Sequence, residues 1–223
     1  MTRLLIAAEG LTEVNFATQL LKPHLVERAP DRITVSAPNL RGYHTYAAIR
    51  RFVKDLLTSP DSGAIVTTMI DLFKIPGDFP GLAEASPAPP AQRVRQLEEC
   101  FTKDVDDPRF FAYLQLHEFE ALLLADLTAL SSQHPKRRKE LASLAARLNK
   151  DFASPELVDR LRPPSYWIKE TVPEYDKKLD GPVTAATIGL PKLRERCPHF
   201  GEWLKRLEDL AALPTPHPTH SPS

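Results

Sequence analysis

Apolar positions along the chain alternate between short continuous runs and helical stripes. Leu4 to Ala8 is an apolar run long enough for one buried strand, and it stops at Glu9-Gly10. Val14, Phe16, Ala17, Leu20, Leu21 and Leu25 recur near a 3.6-residue period. This spacing predicts a helix over Glu13 to Leu25 with Thr12 as its N-cap, and Gly10 is expected to let the chain turn sharply before it. Arg32 to Ala37 (RITVSA) alternates with β-branched residues and reads as a second strand. After the loop Pro38 to His44, Thr45 to Leu57 forms a second amphipathic helix. Gly63 to Ile70 (GAIVTTMI) is nearly continuously apolar, as in a strand covered on both faces, and ends at Asp71.

The alternation continues through a Pro/Ala-rich connection, Leu82 to Ala91, and a solvent-facing helix, Gln92 to Phe101. Arg109 to Leu116 (RFFAYLQL) reads as a fourth strand. His117-Glu118-Phe119-Glu120 closes it and opens an apolar helix, Ala121 to Ala125. Beyond residue 130 the pattern is helical. Lys136 to Lys150 is a basic helix, Pro163 to Lys178 a proline-punctuated segment, and Pro182 to Gly189 and Lys192 to Cys197 two short helices. His199 to Leu213 closes the fold. The expected architecture is α/β, a mostly parallel sheet of about four strands flanked by helices, with a helical C-terminal part. The expected division is a core over 1–130, a helical region over 131–213 packed on it, and a disordered Pro-rich tail over 214–223.

Composition narrows the classes. A chain of 223 residues buries one sizeable core, and its 29 basic and 29 acidic residues cancel, so no net field announces a nucleic-acid binder. An acidic site and a basic groove on one protein would cancel in the same way. Cys100 and Cys197 make no CxxC spacing, which argues against structural zinc and a disulfide framework and for reduced thiols in the cytoplasm. No signal peptide or membrane-spanning run is expected. There is no internal repeat, P-loop, GxGxxG or GxSxG.

The candidate chemistry lies in acids at strand ends. Glu9 ends the first strand, Asp71 the third, and Glu118 or Glu120 the fourth, while Glu13 follows Glu9 by four residues. Open α/β sheets bind ligands in the crevice at the carboxyl ends of their strands. Converging carboxylates there are hard oxygen donors for Mg²⁺ or Mn²⁺, ions that bridge to phosphate oxygens and activate water. Each acid also has an ordinary explanation, Glu13 as a first-turn helix acid and Asp71 as a loop cap. The spacing of HEFE is not that of zinc proteases, and one strand-end acid of Glu118 and Glu120 is expected to face the crevice. Arg41, Tyr43 and His44 stand at a loop-to-helix junction suited to phosphate or a base. Arg138 and Lys169 are further candidates for phosphate contacts.

EGLTE, TTMIDLFKIPGDFPG, LHEFEALLLAD and CPHFGEWLKRL, in that order, resemble an uncharacterised bacterial family of TOPRIM-like proteins related to OLD-type nucleases. The resemblance implies a TOPRIM-like (Rossmann-like) sheet. It also implies a Mg²⁺- or Mn²⁺-dependent nuclease subunit acting on DNA or RNA, with an AAA/SMC-like ATPase partner in anti-phage defence. By resemblance, Glu9 is the general acid/base or metal-binding glutamate, Asp71 the first acid of a DxD pair, and Lys177 a late lysine that contacts the scissile phosphate. The second acid of the pair falls at Phe73, which has no ligand atom; Glu118, Glu120 or Asp78 would have to compensate. The competing expectation is a TOPRIM scaffold that has lost catalysis and serves the ATPase as a binding or effector module. A monomer and a homodimer both remain open.

Overall fold

The computed structural model describes residues 1–59, 63–85, 87–158 and 162–212; the expected tail, with residue 213, lies outside these. Strand β1 (Thr2–Ala8) is followed by helix α1 (Leu11–Phe16), a π-helical turn (Ala17–Leu21) and helix α2 (Lys22–Arg28). Three segments thus stand where one regular helix was expected. Pro23 has no N–H to donate and its ring clashes with the carbonyl four residues back, which is that of Gln19 within the wider turn. Strand β2 (Ile33–Ser36), helix α3 (Tyr46–Thr58) and strand β3 (Ile65–Asp71) complete the first half of the sheet.

Helices α4 (Leu82–Ala85) and α5 (Pro90–Val105) lead to the sheet edge, where the expected fourth strand is two short ones, β4 (Phe110–Phe111) and β5 (Leu114–Gln115). Both pair with β3 in one register, Val66 with Phe110 and Ile70 with Leu114. In the gap between them the Thr68 hydroxyl donates to the Tyr113 carbonyl (2.8 Å) and accepts from its N–H (2.9 Å), so a side chain replaces the ladder. The outward N–H groups of the edge are also covered, that of Ala112 by Thr102 Oγ1 (3.1 Å) and that of Leu114 by Glu98 Oε1 (2.7 Å).

The strand order is β2-β1-β3-β4, with β5 also on β3, and every pairing is parallel. Two cores lie on the two faces. Val66 and Ile70 of β3 pack with Ile49, Val53 and Leu57 of α3 and Val94, Leu97 and Phe101 of α5. Leu4 and Ile6 of β1 and Met69 of β3 pack with Phe16, Leu21 and Leu25 and with the C-terminal part of the chain. That part comprises α6 (Glu120–Leu123), α7 (Arg138–Asp151), α8 (Pro164–Thr171), α9 (Lys177–Ile188), α10 (Leu190–Arg196) and α11 (Pro198–Ala212). Helix α9 starts five residues earlier than the sequence pattern suggests, because Asp176 caps it by accepting from the N–H groups of Lys178 (2.8 Å) and Leu179 (3.2 Å). No described helix is long and apolar enough to cross a membrane.

Candidate functional site

Parallel pairing puts the carboxyl ends of β1, β3 and β5 on one edge of the sheet, and Glu9, Asp71 and the HEFE turn meet there. Glu9 is half-buried; its Oε2 accepts from the Asp71 N–H (2.8 Å) and lies 3.4 Å from the Tyr43 hydroxyl. The same hydroxyl stands 3.4 Å from the Asp71 carbonyl. Tyr43 thus reaches the site from the β2–α3 loop. Exposed Arg41 sits beside it, in a left-handed turn (φ 60°) whose next residue, Gly42, donates to the Glu9 carbonyl (3.0 Å).

Gly10, not Thr12, is the N-cap of α1, and its backbone is extended (φ −152°), so no special turn is needed there. What the position supplies is its N–H, which donates to Glu13 Oε2 (3.0 Å) and aims the buried Glu13 carboxylate back at the strand end.

A further member comes from far along the chain. Lys177, the first residue of α9, places its ammonium 2.8 Å from Asp71 Oδ2, 3.4 Å from Glu120 Oε2 and 3.6 Å from Glu13 Oε1. A cation in the first turn of a helix is opposed by the helix dipole, so this placement serves the acids and not α9. α9 comes close enough because of Gly181. A Cβ there would meet Phe119 Cε1 at 3.1 Å and Thr12 Cγ2 at 3.4 Å.

The HEFE turn divides its acids. His117 leaves β5 in a left-handed conformation (φ 64°), and its Nε2 is 3.1 Å from the Glu156 carbonyl. Glu120 faces Lys177, whereas Glu118 Oε2 accepts from the Ser165 N–H (3.1 Å) and caps α8. Asp78 is not a compensating acid: its Oδ1 accepts from the Tyr46 N–H (3.1 Å) at the start of α3. Phe73 lies exposed in the 3₁₀ turn after β3. Arg138 and Lys169 are exposed on α7 and α8 and make none of the site's hydrogen bonds or ion pairs described above.

Burial sets the electrostatics. Glu9 is pushed up to about 7 by burial and then by the neighbouring Asp71 charge; Glu13 rises to about 7 for the same two reasons. Glu120 rises to about 7 through burial, against the pull of Lys177. Burial raises Asp71 too, again opposed by Lys177. Burial alone would lower the Lys177 ammonium, but Asp71, Glu120 and Glu13 outweigh it and hold it well above an ordinary lysine. One ammonium among four carboxyl groups leaves an excess of negative charge that protons or a further cation must balance.

Three carboxylate oxygens in the cluster are buried without a hydrogen-bond partner: Glu13 Oε1, Asp71 Oδ1 and Glu120 Oε2. Their chemistry fits a hard divalent cation. As they stand, no group of three or more His, Cys, Asp or Glu side chains among the described residues is set to hold a metal, since the Lys177 ammonium lies between them. The Tyr175 hydroxyl, two residues before Lys177, is also buried and unpartnered, and its acidity is suppressed by burial and then by Glu120.

Solved structures of the C-terminal region of the OLD protein of Xanthomonas campestris pv. campestris are similar to this chain at low identity. One, phased with iodine, has a TM-score of 0.45 at 16% identity and covers 95% of this chain and 97% of its own. Another, phased with platinum, has a TM-score of 0.43 at 14% identity, with coverages of 92% and 95%. At these values the likeness constrains neither mechanism nor site. No curated protein matches the sequence. Residues 8–208 match the model of the family described as "Domain of unknown function (DUF4276)", and the chain belongs to that family.

Proposed function

We propose that the chain is a metal-dependent phosphodiesterase of TOPRIM-like type, a nuclease subunit acting on DNA or RNA. The observation that carries this reading is the gathering of Glu13, Asp71 and Glu120 around Lys177 at the carboxyl edge of a parallel sheet, where Glu13 Oε1 and Glu120 Oε2 make no hydrogen bond and are held only by the shared ammonium. Buried polar atoms are normally hydrogen-bonded, so several buried carboxylates that share a single ammonium support a place built to bind a ligand. Asp71, Glu13 and Glu120, with Glu9 beside them, would hold Mg²⁺ or Mn²⁺. When bound, such an ion stabilises charge on phosphate oxygens and lowers the pKa of an attacking water. Lys177 would turn from its carboxylates to a phosphate oxygen, Tyr43 would orient Glu9, and exposed Arg41 would meet the nucleic-acid backbone. Arg138 and Lys169, away from the centre, would extend that contact. An AAA/SMC-like ATPase partner, a cytoplasmic place of action and a role in anti-phage defence belong to the same proposal.

Manganese titration by calorimetry on the wild type and on Glu9→Gln and Asp71→Asn tests it, followed by cleavage assays on single- and double-stranded DNA and RNA. Binding in the wild type, lost in Asp71→Asn, is expected, together with a fall in cleavage of at least about a hundredfold in Glu9→Gln at an unchanged melting temperature. Metal-independent binding of nucleic acid without cleavage would instead favour a non-catalytic module. Phe73 in place of a second acid and the ammonium seated among the carboxylates are the observations on that side.

A further inference from the structure

A second feature adjoins the acidic centre on the other side of the β3 end. A cavity of about 260 Å³ opens there, walled by Leu72, Ile75, Leu82 and Leu116 and bordered by Phe73, Arg93 and His117. Its volume is several times a water's share of about 30 Å³ and below the roughly 300 Å³ at which drug-sized pockets begin, which suits one planar ring system.

One of its walls is continuous with the site. Leu72 and Phe73 directly follow Asp71, and the Phe73 N–H donates to the His117 carbonyl (2.8 Å), pinning this wall to the HEFE turn. Consecutive Cα atoms are about 3.8 Å apart, so the Leu72–Phe73 wall begins within two residues of Asp71. Phe73 is 44% exposed, so its ring is accessible for stacking, and the other lining side chains are mostly apolar.

We infer that this cavity is a nucleobase subsite, taking the base attached to the phosphate that the acidic centre binds. The inference rests on the phosphodiesterase reading and deepens it. Phe73, which contributes no acid, then has a role in holding the base next to the phosphate.

The test is a methyl NMR titration of the full chain in magnesium buffer with deoxyadenosine 5′-monophosphate, and separately with deoxyribose 5-phosphate, which lacks the base. The nucleotide is expected to shift the methyls of Leu72, Ile75, Leu82 and Leu116 through its ring current. Deoxyribose 5-phosphate should move only methyls near the acids, those of Ala8 and Leu11. The nucleotide should bind about tenfold more tightly than the sugar phosphate, a preference that Ile75→Trp, by filling the cavity, should reduce to less than about twofold. Shifts at Ala8 and Leu11 with silent cavity methyls would overturn the base subsite and leave the phosphate centre standing; the cavity would then belong to an apolar side chain of a protein partner. No shift with either probe would overturn both. An unchanged nucleotide preference in a folded Ile75→Trp variant would also overturn the subsite.

Discussion

Two groups of buried carboxylates in this molecule are built on opposite rules. Where α5 and α11 meet, Glu156 is buried with both oxygens occupied, accepting from the backbone N–H groups of His199 (2.9 Å) and Phe200 (3.0 Å) in the first turn of α11. Glu98 beside it accepts from the Leu114 N–H (2.7 Å) and pairs with His199 Nε2 (2.9 Å). Trp203 continues the same anchor by stacking on Tyr113 at 4.2 Å and donating to Thr67 Oγ1 (3.1 Å). At the strand ends, Glu13, Asp71 and Glu120 each keep an oxygen that accepts no hydrogen bond, and all three share a single ammonium. Burial of an acid therefore says little about its purpose; the state of its lone pairs says more. The first group holds C-terminal helices to the sheet, and the second crowds carboxyl groups around one ammonium, which together with burial raises their pKa values.

The comparison can be broken by mutation. The largest effect is expected from Glu156→Ala, which leaves two buried helix N–H groups without an acceptor. Urea denaturation should show a loss of about 3 kcal/mol at unchanged m. Glu120→Gln should do the opposite. The Glu120 carboxyl, about 7 in the folded protein against an ordinary 4.5, contributes stability that is fully present below pH 4.5 and lost as pH rises through about 7. In metal-free buffer the variant should therefore gain about 1–2 kcal/mol over wild type at pH 8, a gain that disappears near pH 5. Saturating Mn²⁺ should reverse the order at pH 8 by stabilising only the wild type. Equal pH profiles for the two proteins would show that the strand-end acids are not strained.

Smaller effects sharpen the picture. Burial lowers the pKa of His199, but Glu98 outweighs it and sets the folded value above the ordinary 6.5. Its contribution is present below pH 6.5 and lost as pH rises through the folded value. His199→Gln should thus cost about 1 kcal/mol at pH 6 and less at pH 9, read from thermal melts. Gly181→Ala should change stability least, within about 1 kcal/mol, because crowding against Phe119 is offset by the better helix propensity of alanine. Its larger consequence should be in Mn²⁺ affinity, since α9 carries Lys177.

Much of the fold was legible along the chain. Apolar runs at Leu4–Ala8 and Gly63–Ile70 are strands because both faces of the sheet are covered, and stripes such as Ile49, Val53 and Leu57 are the buried faces of helices. What misled was local. Thr12 is a good capping residue by type, but Gly10 takes the cap because Glu13 reaches back to its N–H. The run RFFAYLQL has a strand's composition, yet the Thr68 hydroxyl interrupts its ladder from the neighbouring strand. Glu118 and Asp78 are acids of the right kind near the right place, but each is taken by a backbone N–H.

By itself the sequence determined which residues must be buried, with what period, and that carboxylates close three strand-like runs. The tertiary structure alone decided that these ends share one edge, because strand order and parallel pairing depend on which faces pack together over long separations. It also brought Lys177 to Asp71 across 106 positions, through a helix whose approach turns on Gly181. A pattern of hydrophobic positions encodes the period and burial of each element. Which side chain of one element meets which of another is settled only when the cores on both faces close.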